Sequence, residues 1–257
     1  MRIIDLHCYP NTQKWIDCQG PYVEALEKYW GRAWQAKTEE EVVAEFKEFG
    51  IDALLVALDL TTTIETPPCD NNYVAGMRDR HETIIQAWAA IEPALGQAAI
   101  DEAKHAINDL NMIGFHFHPI VHYEGWEKDY GEIVNTLMGT FSINEIALIS
   151  FGTLTFIKPA IKALRGVGTK SKILQMPFAE AAGKISYPID TKKKMFSEVW
   201  NSFAPWHDKV FFYFCMEDRE LWNHVFGRCY ESNDEFEKDL FDSVKRKLEL
   251  KTPIKVS

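Results

Sequence analysis

Short runs rich in β-branched and aromatic residues return along the chain with amphipathic helical patterns between them, and this alternation constrains the fold more than any other feature. The runs are Ile3 to His7, Ala53 to Leu58, Ile84 to Ile91, Ile113 to His118, Ile146 to Ser150, Lys172 to Met176 and Val210 to Cys215. Thr38-Glu39-Glu40-Glu41 reads as a capping box that opens a helix, with Val42, Val43, Phe46 and Phe49 on its apolar face and Gly50 as its stop. Further helices are expected over Asp70 to Arg80, Ala98 to Leu110, Lys128 to Met138, Thr191 to Phe203 and Asn233 to Leu248. Strands and helices that alternate in this way favour a parallel sheet or barrel. The expectation is an α/β, TIM-barrel-like fold, incomplete or open unless an eighth strand forms, for which Pro253 to Val256 is the candidate. With 257 residues, 46% of them hydrophobic, the chain can bury the core of one such barrel-like domain.

Charge and cysteine usage narrow the partners. The 38 acidic residues against 28 basic ones give a formal charge of -10, which repels phosphate backbones, so nucleic acid is not the expected partner. The basic runs Lys192-Lys193-Lys194 and Lys245-Arg246-Lys247 read as solvated helix faces. The N-terminal Met1-Arg2-Ile3-Ile4-Asp5 places an acid where a signal peptide is apolar, and no run approaches the ~18 apolar residues that cross a bilayer. Five scattered cysteines without C-x-x-C spacing suit free thiols in a reducing compartment, so a cytoplasmic protein away from membranes is expected, of unspecified oligomeric state.

In folds of this class the reactive side chains collect at the C-terminal ends of the strands, where the strand-to-helix loops open. His7 ends the first run and is well placed to ligate a divalent metal, with Asp5 two residues earlier on the same side of the strand. His116 and His118 share one face of their run by the same period, and Pro119 is expected to stop the strand just past them. Cys215, in the apolar setting of Val210 to Phe214, is expected to be a buried, inert thiol.

The surroundings of these residues carry a resemblance. Ile3-Ile4-Asp5-Leu6-His7, Phe49 to Val56, Pro67-Pro68-Cys69-Asp70-Asn71, Ala87-Trp88-Ala89-Ala90-Ile91-Glu92-Pro93 and Ile113 to Pro119 follow one another as in the amidohydrolase-2 hydrolases and decarboxylases, and residues 1 to about 120 resemble that family. The resemblance implies a metal-dependent barrel enzyme with a His-x-His pair at the end of the first strand. Here His7 matches its first position and Tyr9 stands at the second, a far weaker zinc ligand.

From about Gly114 to residue 248 the chain instead resembles the C-terminal part of the spore photoproduct lyase family of radical-SAM enzymes. Gly114 to Ile120, Tyr123 to Tyr130, Ile149 to Phe156, Lys172-Ile173-Leu174-Gln175, Tyr213 to Asp218 and Leu221 to Gly227 carry this second likeness. The three-cysteine loop that holds that family's iron–sulfur cluster is absent, so no such cluster is expected. The two resemblances meet at Gly114 to Ile120 and make the chain read as a mosaic of an amidohydrolase-like half, 1–118, and a lyase-like half, 119–257.

Three functions follow as expectations. The first is a metal-dependent hydrolase or decarboxylase acting on a small molecule, with His7, His116 and His118 holding a divalent cation, zinc before manganese or iron, and Asp5 or Glu217 as accessory acid or base. The second is a lyase-like DNA repair protein without the cluster, stacking Tyr123, Trp126 and Tyr187 on an extruded base with Lys184 and Lys192 to Lys194 near phosphates. The third is a non-catalytic, chimeric barrel scaffold.

Overall fold

The computed structural model describes residues 3–167, 176–181, 183–215 and 217–251. In chain order, β1 (Ile3–Cys8) leads to α1 (Gln13–Gln19), α2 (Tyr22–Trp30), α3 (Glu39–Phe49), β2 (Ile51–Val56), α4 (Thr61–Ile64), α5 (Asn71–Arg80) and β3 (Ile84–Ile91). Next come α6 (Gln97–Lys104), a π-helical turn over His105–Asp109, β4 (Gly114–Ile120), α7 (Trp126–Thr140) and β5 (Leu148–Thr153). The remainder is β6 (Thr155–Ile157), α8 (Lys158–Val167), β7 (Ala179–Ala181), β8 (Lys184–Ser186), α9 (Ile189–Ser202), β9 (Phe211–Phe214), α10 (Arg219–Phe226) and α11 (Asn233–Lys251).

Backbone packing divides the chain into two compact units, Met1–Ala90 with Leu154–Pro188, and Ile91–Thr153 with Ile189–Ser257. In the first unit β1, β2 and β3 pair in parallel, with Ile3 opposite Ile51 and Leu54 opposite Gln86. Ala53 to Ala57 are fully buried, the near-continuous apolar run of a strand covered on both faces. In the second unit β4, β5 and β9 pair in parallel, with His116 opposite Ser150 and Ser150 opposite Tyr213. Phe117 there meets Phe151, Tyr130 and Phe203 at ring-centre distances of 6.0 to 6.3 Å, and Phe214 stacks on Phe226 at 4.4 Å. The fold is α/β and TIM-barrel-like, with six such parallel strands among the described residues where a closed barrel has eight.

Several elements depart from the sequence expectation. β6, β8 and β7 form a small antiparallel sheet in the first unit, too short at three residues per strand to show a period. β4 runs on through Pro119 to Ile120 instead of stopping before it. The ladder slips between Phe117 and Ile120, so the absent proline N–H falls where the pairing is already irregular. The expected strand over 172–176 falls, except for Met176, outside the described residues, as do Met216 and the segment 253–256.

The capping box is present as read. Thr38 Oγ1 accepts the Glu41 amide at 3.2 Å, Glu41 Oε2 accepts the Thr38 amide at 2.7 Å, and Gly50 closes α3 in the left-handed region at φ 64°. Thr38→Ala should cost about 1 kcal/mol in urea denaturation. An unchanged midpoint would show that the box carries none of the stability of α3.

Candidate functional site

The strand alternation that drives Phe115 and Phe117 into the core of the second unit turns His116 and His118 to the opposite face of β4. The two imidazoles stack, with centres 4.9 Å apart and planes 16° from parallel. His116 is 4% exposed, and its Nδ1 lies 2.5 Å from Ser150 Oγ on the paired strand. His118 Nε2 lies 3.0 Å from the Thr153 carbonyl oxygen, and Thr153 Oγ1 in turn donates to the Ile120 carbonyl. A carbonyl only accepts, so Nε2 of His118 carries the proton and Nδ1 keeps the lone pair. Burial, only partly offset by the Thr153 bond, pulls the His118 pKa down to about 4. The ring is therefore neutral at physiological pH, the form that can donate to a metal.

At the end of β1, in the first unit, the structure places Asp5, His7 and Tyr9 side by side. The Asp5 carboxylate accepts the backbone N–H of His7 at 3.0 Å, and the His7 ring shares a 3.2 Å hydrogen bond between its Nε2 and Tyr9 Oη. Trp88 stands edge-on to the same ring at 4.8 Å. The Tyr9 phenol is thus the partner of the His7 ring. Burial, and then the adjacent Asp5 carboxylate, push the Cys8 thiol pKa up.

Glu217 lies just beyond β9 with a side chain only 3% exposed, in an ion pair of 2.6 Å with Lys192. It lines a cavity of about 360 Å³ together with Cys215, Arg219, Trp222, Tyr230 and Phe236. Cys215 is half-buried there rather than sealed in the core, because the chain leaves the sheet one residue before it. A larger hollow of about 550 Å³ lies at the other end of β9, among His207, Asp208, Lys209 and Arg228. Size favours the second, but position favours the first, since the C-terminal strand ends are where this fold class does its chemistry. Within each unit, among the described residues, no group of three or more His, Cys, Asp or Glu side chains is placed to hold a metal ion.

Of the three aromatic residues expected to stack on a base, Tyr123 is exposed and two are buried. Trp126 and Tyr187 are 1% and 2% exposed. Lys192, Lys193 and Lys194 pair with Glu217, Glu220 and Glu127 at 2.5 to 2.6 Å, so Lys192 belongs to a buried pair rather than to a solvated face. Sequence reasoning passed over Ser150 and Thr153, the partners of the histidines. The available signal was polarity inside an apolar strand, since both are buried in the run Leu148–Thr153.

No protein-family model matches the sequence, and no curated protein matches it. Solved structures resemble it from two directions. Spore photoproduct lyase complexed with dinucleoside spore photoproduct aligns at 15% identity and a TM-score of 0.43, over 69% of this chain and 56% of that one. This chain therefore spans little more than half of the lyase's length. A dihydroxybenzoic acid decarboxylase from Polaromonas sp. JS666, with bound manganese and 2-nitroresorcinol, aligns at 13% identity and a TM-score of 0.39 over 98% of each chain. A 2,6-dihydroxybenzoate decarboxylase complexed with 2,6-dihydroxybenzoate aligns at 11% identity and a TM-score of 0.38, over 97% of this chain and all of that one.

The depressed pKa of His118 gives a signed pH dependence. Between pH 6.5 and about 4 the unfolded chain binds a proton at this position that the folded chain refuses. Stability from His118 is therefore complete above pH 6.5, falls as the pH drops through that window and levels off below it. Denaturation midpoints measured from pH 7.5 to 3.5 should fall more steeply for the wild type than for His118→Gln. Parallel curves would refute the assignment.

Proposed function

We propose that the protein is a metal-dependent hydrolase or decarboxylase acting on a small molecule. The observation that carries the reading is the stacked pair on β4, two imidazoles on one strand face, of which His118 is neutral with Nδ1 as its lone-pair nitrogen. His116 Nδ1 meets Ser150 Oγ and His118 Nε2 meets the Thr153 carbonyl, the kind of outer bonding that orients histidine ligands. Such a pair fits a divalent cation of the zinc class, with manganese and iron as alternatives. Glu217, in the same unit, is the accessory acid or base in this reading.

A bound divalent cation supplies Lewis acidity and lowers the pKa of water. The protein's own contribution is to hold His116 and His118 in one orientation and to keep His118 unprotonated. Lys192 fixes the Glu217 carboxylate at the edge of the cavity beyond β9. A small substrate agrees with the formal charge of -10 and with a basic run whose three lysines are all committed to carboxylates. The free thiols of Cys8, Cys18, Cys69, Cys215 and Cys229 support a cytoplasmic setting. No helix among the described residues is long and apolar enough to cross a membrane.

Isothermal titration of metal-stripped protein with zinc, manganese and ferrous iron tests the reading. Saturable binding should weaken by more than about tenfold in His118→Ala and by about tenfold in Ser150→Ala, which removes the partner of His116. Absence of binding by all three ions would sink the proposal.

A further inference from the structure

We infer that Gly152 is the positioning residue of the histidine pair: its missing side chain is the seat in β5 on which the His118 imidazole lies. The inference rests on reading His116 and His118 as the donors of the site. A Cβ on Gly152 would stand 2.1 Å from Cδ2 of His118, 3.0 Å from Nε2 and 3.2 Å from Cγ. These are atoms of a rigid ring, and the ring has little freedom to step aside. It stacks on His116 at 4.9 Å, Nε2 is tied to the Thr153 carbonyl at 3.0 Å, and His116 is itself held by Ser150. Any shift large enough to admit a methyl group breaks the Thr153 bond or the stack.

The comparison with other glycines separates a demand of the site from a demand of the fold. At Gly114 the obstacle is backbone, the Leu148 carbonyl oxygen at 2.3 Å, so that glycine serves the approach of β4 to β5. At Gly131 and Gly139 on α7 an added Cβ would meet nothing within 4 Å. At Gly152 the three nearest atoms all belong to His118. The glycine also decides which nitrogen the ring presents, since the seat keeps Nε2 against the Thr153 carbonyl and leaves the lone pair on Nδ1.

A double-mutant cycle on the full chain isolates the contact. Gly152→Ala should lower Tm by about 5 °C in the wild-type background and by about 1 °C or less in a His118→Ala background, where the ring is gone. Nitrogen-detected NMR should find His118 protonated at Nε2 in the wild type and shifted toward a tautomer mixture in Gly152→Ala. Should Gly152→Ala alone not fold, Gly152→Ala/His118→Ala should restore folding. Equal losses of Tm in the two backgrounds, an unchanged tautomer, or a double variant that still does not fold would overturn the inference. Neither readout needs a metal, so an intact cycle without zinc binding would count against the metal reading and not against the seat.

Discussion

Gly114 comes so close to the neighbouring strand that a methyl group there would stand 2.3 Å from the Leu148 carbonyl oxygen. That approach begins the β4–β5 ladder, and the rest of the second unit follows from its register. With Gly114 opposite Leu148, the pairing brings His116 opposite Ser150 and Phe117 opposite Phe151. One face of the pair then holds interlocking rings that exclude water, and the other holds imidazoles with oxygen partners. A slip of one residue would exchange the two faces and bury both histidines among phenylalanines, where an unsatisfied ring nitrogen is costly. The apolar face therefore fixes the polar one.

Much of this was legible in the sequence where a short-range rule decides. The Thr38–Glu41 box needs only its own four residues, and the alternation Phe-His-Phe-His specifies two faces without reference to a partner strand. The run Ile84 to Ile91 appears as β3 with the same bounds. What escaped was decided by distant chain. Ser150 is 34 residues from His116, and Lys192 is 25 from Glu217, so neither partnership leaves a local signature. α1 and α2 escaped because Gly20 and Pro21 break their stretch into pieces of 7 and 9 residues, short for a periodic signal. Tyr187 and Trp126 looked available for stacking because aromatic residues read alike whether they line a groove or fill a core. Only burial separates them.

The join between the two sequence resemblances and the division of the structure fall at different places. The resemblances meet at Gly114 to Ile120, which is β4 itself, in the interior of the second unit. The compact units divide instead between Ala90 and Ile91, between Thr153 and Leu154, and between Pro188 and Ile189. Packing thus groups β4 with β5 and β9, and it returns Leu154–Pro188 to the unit that holds β1.

The run Lys192-Lys193-Lys194 carries one more consequence. Successive residues on a helix are turned by about 100°, so three adjacent side chains fan out and cannot present a single charged face. On α9 they reach Glu217, Glu220 and Glu127, tying that helix to the segment before α10, to α10 itself and to α7. A motif that looks like a handle for polyanions is in this fold a three-way brace. Added salt would then act on the helical layer, slackening its outer two struts while the nearly enclosed Lys192–Glu217 strut is screened least.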